Sequence, residues 1–585
     1  MKQKIFALFL ILCGLCLNLK AETQGDIVGR VLDDSGAPLA GATVQILHAK
    51  DGVTTDEDGY FRIPYSKDGA VRVKVSFVGY QTQTFVLKAD EKKGDQHVLR
   101  LQPDATALDQ VVVTATRTPK ALKDAPVVTR LITANDIKIA DATNIQDLLT
   151  EQMPGLEFGY AMNQETSLNM NGFGGNAVLF LVDGERLAGE TMDNVDYSRL
   201  NLDNVGRIEI VKGAASALYG ASAVAGVINI ISRENSEPWT ANVNTRYNDF
   251  NKEWRHGGSF SFNAGKWNSQ TSIQRTTSDE VQLTSPFDTE SNILHIYGGE
   301  TFNVKERLTY KLSNKVKLIG RGGYFARISN RSNYDDHYKD YSAGLKTVMN
   351  LSENDNLEIS YGFDQYDKAR FVNNERTHDH DYTNRQNTIR ALYSHIFGKN
   401  TLTAGADFLN DYLTTYQFAN NGSKTQNSYD AFAQFDYNPL QWLNIVASLR
   451  HDYFSASSQH ATTGRLALMT KWKGFSIRAN YAGGFRAPTL KEMYMNFDMA
   501  GMQMIYGNPD LKPEKSDNFN LALEHTGRVK NAGFLTGQYS LTLMGYYNKY
   551  DKRITTEDYA DYTPGTGQPD VASRYCNEDG VEVSG

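Results

Sequence analysis

The sequence predicts a mainly β protein: a transmembrane antiparallel β-barrel, preceded by an α/β domain and, before that, a small β-sandwich. Three observations predict it. Beyond Trp239 apolar and polar residues alternate with period two, and short turns alternate with longer polar connections. No stretch after the N-terminus offers the roughly 18 consecutive apolar residues that a membrane helix needs. A mean hydropathy of −0.47, with 32 Tyr, 27 Phe and 48 Gly against 14 Pro, suits many strands joined by tight turns.

Residues 1–21 carry Lys2 and Lys4, an apolar run from Ile5 to Leu19, and then Lys20-Ala21, the pattern of a secretory signal peptide cleaved near Ala21. Cys13 and Cys16 lie inside that run, each preceded by Leu, which argues against a lipid anchor. Only Cys576 survives cleavage, so no internal disulfide is expected. The net charge of −8 arises from 60 basic and 68 acidic residues with no basic block, which excludes nucleic acid as a partner.

Residues 22–103 read as the sandwich. Strand-like runs at Ile27–Leu32, Ala42–Leu47, Tyr60–Ile63, Val71–Phe77 and Thr84–Leu87 are separated by Gly, Asp and Pro turns. The segments 28–44, 55–61 and 77–80 resemble the carboxypeptidase-regulatory-like domain. No His-x-x-Glu zinc pattern occurs here, so the expected role is a periplasmic spacer or docking module, not a peptidase.

Residues 119–235 read as the α/β domain: a strand at Val127–Ile132, a helix opening near Thr143, the turn Met153-Pro-Gly155, and a strand at Val178–Val182 that ends in Asp183-Gly184. Gly213, Gly220 and Gly226 permit close backbone approach in the run from Val205 to Ile231. Arg207, Glu209 and Lys212 suit contact with a polar wall that can be broken at low cost. Together these segments resemble the plug domain of TonB-dependent receptors over its whole length. The β-branched run before it, in the linker 104–118, then resembles a TonB box: Asp109, Gln110, Val111, Val112, Val113, Thr114 and Ala115, continuing to Arg117. The resemblance implies that its unpaired backbone would be completed by a strand from the TonB–ExbB–ExbD energy-transducing complex.

Residues 236–585 read as the barrel in outer-membrane lipid. Leu357, Ile359, Tyr361 and Phe363 alternate with Glu358, Ser360, Gly362 and Asp364, and Tyr429 to Tyr437 and Tyr539 to Leu543 repeat the pattern. Short turns are expected at 265–267, 314–315, 352–355, 398–400, 438–440 and 471–473. Longer loops are expected at 278–304, 328–340, 367–386, 414–426, 485–515 and 549–579. With the plug entering from the periplasm, every long loop falls outside the cell. About fifteen strands can be counted, whereas the resemblance implies twenty-two, so about seven strands are expected beyond Gly585 in a chain nearer roughly 700 residues.

The resemblance also implies an import receptor for a metal chelate. Phe485, Arg486, Ala487 and Pro488, with Asn508, Pro509, Asp510 and Leu511, resemble the paired boxes that bracket the seventh extracellular loop of haem receptors. The expected axial His is absent between them. Met493, Met495, Met499, Met502 and Met504 stand there instead, five of the 13 Met in the chain, with Tyr494 and Tyr506. Thioether and phenolate both ligate haem iron, so Tyr494, Met499, Met502, Met504 and Tyr506 are the loop candidates. At the plug apex, which also lacks His, the candidates are Tyr160 and Met162. His378 and His380 are the weaker alternative, a metal pair at i, i+2.

The expected cargo is haem or a related porphyrin, transported and not retained as a cofactor. Siderophore-iron or cobalamin is the same-class alternative, and a surface adhesin that does not transport is the alternative from another class. A haem-binding surface lipoprotein is a further candidate partner. No nucleophile–base pair or closed metal set points to an enzyme.

Overall fold

A computed structural model describes residues 26–585 apart from 34–35, 37, 40, 48–51, 57, 65–69, 78–79, 81, 89–96, 102–110, 161–163, 191–193, 236, 285–292, 378–381, 420–421, 500, 530–536 and 566. The expected signal peptide, Asp109, Gln110, Met162, His378 and His380 lie outside the described residues. The chain forms two compact units, Met1–Gln110 and Val111–Gly585.

In the first unit, β1 (Asp26–Leu32), β2 (Thr43–Ile46), β3 (Gly52–Thr54), β4 (Tyr60–Pro64), β5 (Ala70–Ser76), β6 (Gln83–Lys88) and β7 (His97–Arg100) make two sheets, ordered β4-β1-β7 and β3-β2-β5-β6. Alternation along β5 buries Val71, Val73 and Val75 and exposes Arg72 and Lys74. These valines share one core with Val31, Val44, Ile63 and Leu101. The five expected strands are all present, and β3 and β7 are added to them.

The second unit begins with the hairpin β8 (Val111–Val112) and β9 (Lys120–Ala121). There follow β10 (Thr129–Thr133), α1 (Ala134–Ala140), α2 (Ile145–Gln152), β11 (Leu156–Tyr160), β12 (Thr166–Met170), β13 (Phe173–Gly174), β14 (Val178–Val182), β15 (Glu185–Arg186), β16 (Val205–Lys212), α3 (Ser216–Tyr219) and β17 (Gly226–Ser232). A five-stranded sheet runs β10-β16-β17-β14-β15, and a smaller one β11-β12-β13. Asn144 caps α2 by accepting from the Asp147 amide, one residue beyond the expected start. Gly226 is forced by close approach, since a Cβ there would stand 2.5 Å from the Val211 carbonyl on the neighbouring strand.

The remaining strands are β18 (Trp239–Asn248), β19 (Glu253–Ala264), β20 (Trp267–Ser278), β21 (Val281–Thr284), β22 (Ile293–Ile296), β23 (Gly299–Lys311), β24 (Val316–Asn330), β25 (Asp335–Asn350), β26 (Asp355–Val372), β27 (Glu375–Arg376), β28 (Tyr382–Phe397), β29 (Asn400–Thr415) and β30 (Ser423–Leu440). They continue as β31 (Leu443–Phe454), β32 (Gln459–Trp472) and β33 (Phe475–Arg486), then α4 (Leu490–Tyr494), β34 (Asn496–Asp498), β35 (Met504–Tyr506), β36 (Glu514–Val529), β37 (Gly537–Asp551), β38 (Arg553–Asp558), β39 (Ala572–Glu578) and β40 (Val581–Ser584). Seventeen of these form one sheet, from β18 at one edge to β40 at the other.

Its burial is inverted relative to a water-soluble sheet. Leu449 is 61% exposed while its neighbour Arg450 is 3% exposed, and Leu543 is 74% exposed. Gln434, Asp436, Asp452 and Asn518 are buried on the inner face. Apolar side chains facing out with polar ones facing in is the arrangement that lipid demands and water penalises. Trp267, Trp442 and Trp472 stand exposed at one rim, next to the turns 265–266, 441–442 and 473–474.

Those turns fall within one to three residues of the expected ones, the largest shift being at 438–440, where β30 runs on to Leu440. At the opposite rim the long-loop expectation at 328–340 is corrected: β24 and β25 run through it, joined by residues 331–334 alone. Its polarity belongs to the lumen, where Asp336 and Asp340 are buried and Arg370 lies 3.3 Å from Asp336. The loops expected at 367–386 and 414–426 likewise shrink to 373–381 and 416–422, with strand on either side.

Candidate functional site: the plugged lumen and the loop above it

The described residues of 111–233 fill the space inside the sheet, and two kinds of contact hold them. Against β30–β32, Phe432, Val446 and Ala467 pack with Val112, Ala115, Leu218 and Tyr219 in one buried apolar cluster. Against β24–β26 the contacts are ionic. Arg199, fully buried, lies 2.6 Å from Asp340 and 2.8 Å from Asp364, and Arg327 lies 3.1 Å from Asp196. Tyr338 and Tyr366 point inward and donate to Glu165 and Asp196, each at 2.8 Å.

The segment Val111–Thr116 is docked, not a free strand edge as the sequence suggests. Only Val111 and Val112 are β, and a turn follows. One carboxylate oxygen of Glu209 accepts from the Val113 amide at 2.9 Å, the Thr114 amide at 2.8 Å and the Thr114 hydroxyl at 2.6 Å. Tyr219 donates its hydroxyl to the Thr114 carbonyl at 3.0 Å, Arg465 donates to the Ala115 carbonyl at 3.2 Å and Gln434 to the Thr116 carbonyl at 2.7 Å. Arg117 takes the left-handed backbone, φ 57°, and lays its guanidinium 4.2 Å from the Tyr219 ring centre. Burial, reinforced by the nearby Arg390, brings the Arg117 guanidinium down to about 10. It therefore keeps its charge at neutral pH and faces Asp407 at 4.0 Å.

Tyr219 also connects this segment to the outer side. Its carbonyl accepts from Arg186, and both residues line a void of about 220 Å³ between the plug apex, the upper ends of β28–β31 and the start of the loop at 487–491. Arg450 braces that void through Asp430 at 2.6 Å and Asp452 at 2.9 Å. Asp411 accepts from the Asn384 amide at 2.7 Å and the Gln386 amide at 3.2 Å.

Above it, the box residues form the scaffold of the loop. Arg486 is fully buried, donates to both oxygens of Glu514 at 2.8 and 2.9 Å and reaches Glu492 at 2.9 Å. Thr489 and Glu492 cap α4 reciprocally. Phe485, Ala487 and Leu511 are buried, Asn508 donates to the Tyr575 carbonyl at 3.0 Å, and Pro509 and Asp510 lead into the turn beside it. The loop and residues 553–578 build a four-stranded sheet, β34-β35-β39-β38.

The ligand candidates separate on burial. Met493, Met495 and Met504 are buried, so Met504, anticipated at the ligand, is held in the loop core by β35–β39 pairing. Met499 and Met502 remain exposed, at 36% and 59%. Tyr506 stands 5.5 Å from Tyr559 and 5.9 Å from Tyr562, and Tyr494 lies under Lys424 at 4.4 Å. Tyr160, at the tip of β11, is 73% exposed. Sequence reasoning missed α1, whose signal is the Thr133–Asp136 capping box, and did not anticipate the burial of Glu209.

Comparison with known proteins decides the class. A family model described as "TonB dependent receptor-like, beta-barrel" matches residues 287–585, half of the chain. This chain belongs to the TonB-dependent receptors. A TonB-dependent receptor plug domain matches residues 121–227 and a CarboxypepD_reg-like domain residues 27–113. The receptor is 27% identical over 493 residues to the vitamin B12 transporter BtuB of Vibrio cholerae, covering 79% of this chain and 74% of the relative. It is 24% identical over 483 residues to the iron-regulated outer membrane virulence protein of the same organism, covering 77% and 70%. Among solved structures, the siderophore receptor PirA from Pseudomonas aeruginosa matches with TM-score 0.64 at 17% identity, over 78% of this chain and 80% of that one. The Serratia marcescens hemophore receptor HasR, solved with HasA and heme, matches with TM-score 0.67 at 12% identity, over 79% of each chain. The receptor is accordingly an outer-membrane β-barrel with a lumenal plug, of a class that works with the TonB complex.

Proposed function

We propose that this receptor imports a metal chelate, haem foremost, and that Val111–Thr116 is the segment its energising partner pulls. The observation that carries the reading is the docking of that segment on Glu209 and Tyr219, with Tyr219 also lining the void beneath the loop. Cargo seated at the apex and a pull from the periplasm would then meet at one side chain. The binding signal requires a differential affinity of cargo for the two plug states. Haem is favoured over cobalamin and ferric siderophores by the soft and phenolic groups left accessible: Met499 and Met502 in the loop and Tyr160 at the apex. Likeness to a B12 transporter keeps cobalamin as the second reading.

A haem titration of the purified receptor tests this. We expect a Soret shift that Met499→Ala/Met502→Ala weakens at least about tenfold; no shift with haem, alongside saturable binding of cyanocobalamin, would reverse the order of the two readings. Deleting residues 109–116 leaves binding intact and abolishes uptake, and continued uptake would refute the coupling role.

A further inference from the structure

We propose that cargo crosses the middle of the lumen on one side of the plug only, along the inner face of β20, β23–β26 and β28, and that this stretch of the conduit favours anionic cargo. The inference rests on the transport reading above. Voids between plug and wall run from the apex void beneath the upper ends of β28–β31, through two cavities on that side, to a periplasmic mouth that also touches Asp436, Asn444 and Lys471 of β30–β32. The apex void shares Arg186, Leu187, Gln386 and Thr388 with a cavity of about 130 Å³. That cavity shares Asp183, Arg307 and Arg321 with one of about 260 Å³. The latter shares Arg117, Pro119, Glu358 and Leu392 with the periplasmic mouth of about 1240 Å³. The string therefore runs from the apex to the periplasm, with Arg117 and Pro119, just after the docked segment, at its last partition.

The lining is polar and unfinished. Among the described residues, Gln270 Oε1, Ser272 Oγ and Asn303 Oδ1 are buried beside the 130 Å³ cavity without a protein hydrogen-bond partner. Widening such a seam exchanges polar contacts for water, whereas parting the plug from β30–β32 would expose Phe432, Val446, Ala467, Leu218 and Val112. Parting the first wall also breaks the Arg199 and Arg327 ion pairs, but water re-solvates those charges as it enters, so the plug leaves that wall more readily than the apolar one. Charge adds selectivity. The 260 Å³ cavity is lined by six basic and two acidic residues, an excess of four positive charges in a chain of net charge −8, whereas the 130 Å³ cavity has five of each. The apex void has four basic against five acidic residues, and the mouth five of each. The positive excess is thus confined to the 260 Å³ cavity, the last before the periplasmic mouth, where it favours carboxylate-bearing or otherwise anionic cargo.

The test uses single cysteines in the full chain carrying Cys576→Ser, in cells with and without an uncoupler. Ser360→Cys lies on the conduit and Ser448→Cys on the inner face of the opposite wall. Both replace a small buried side chain, and heat-modifiability reports folding. We expect Ser360→Cys to react with a sulfonate-bearing methanethiosulfonate only in energised cells, and, with each rate divided by that for a free thiol in solution, about tenfold faster than with the trimethylammonium analogue. Lys346→Gln/Arg307→Gln should erase that preference and Lys346→Arg should keep it. Ser448→Cys should stay protected. Equal reaction at both positions would overturn the one-sided conduit and leave transport standing. Protection of Ser360→Cys while uptake proceeds would overturn it too, and protection with no uptake of haem, cobalamin or ferric siderophore would remove the transport reading with it. An equal or faster normalised rate with the cationic reagent would overturn the charge selectivity.

Discussion

Replacing Glu209 by Ala should release the Val111–Thr116 segment without unfolding the barrel. Glu209 is fully buried, and one of its oxygens receives the Val113 and Thr114 amides at 2.9 and 2.8 Å. Truncation strands both amides away from water, and an unpaired buried N–H costs about 1–3 kcal/mol. The Thr114 hydroxyl keeps a contact, since Asn229 donates to it at 3.0 Å. Arg207, the other partner of Glu209, is partly exposed and adds little. The docked state should thus lose roughly 2–6 kcal/mol, a shift of about 30-fold to about 20,000-fold toward the free segment. A nitroxide at Val111→Cys, a half-exposed position, reads this out by electron paramagnetic resonance. Its spectrum should be immobilised in the parent and mobile in Glu209→Ala, with Glu209→Gln between them because the amide oxygen still accepts. An immobilised spectrum in Glu209→Ala would refute the carboxylate clamp.

Three further outcomes follow from the same geometry. Arg486→Ala strands Glu492 and Glu514 as buried, uncompensated carboxylates, a loss of about 3–5 kcal/mol that should open residues 487–513 to protease while leaving the barrel resistant. Arg486→Lys should fail to rescue it, because one ammonium cannot reproduce the paired contact with Glu514. Leu543→Arg places charge on the lipid face and should lower barrel stability by about 2–4 kcal/mol in urea titrations in detergent or vesicles, whereas Leu543→Phe should be neutral. The Cys576 thiol is pushed up by burial and by Glu557, so less thiolate is present at pH 7 and alkylation should be slower than for a free thiol. Glu557→Gln should speed it, and an unchanged rate would contradict that origin of the shift.

The sequence was most legible where local rules act alone. The six described turns at the periplasmic rim that the sequence marks are two to four residues long and fixed by local chemistry, so their positions are legible to within about three residues. Residues 328–340 misled because Asp, Arg and Tyr side chains facing a polar lumen have the composition of a solvated loop. Only the third dimension tells Asp336 in a wall from an aspartate in water. The same limit applies to the site. Glu209 stands 95 residues from Thr114, and Met504 is covered by a strand beginning at Ala572, pairings that no local pattern encodes. The family boxes were legible as a motif, yet Arg486 and Leu511 build the loop and do not face its opening.

The claim on which all else depends is that residues 111–233 occupy the lumen in contact with particular strands. The direct measurement is cross-linking between Lys120→Cys and Asp436→Cys, whose native side chains meet at 2.6 Å, by a short bis-thiol reagent in intact outer membranes. The account predicts a looped, gel-shifted product in resting cells and a block of energised uptake that a reversible cross-linker lifts on cleavage. Absence of the product in a folded, heat-modifiable receptor, or uptake that continues through the bridge, would contradict it.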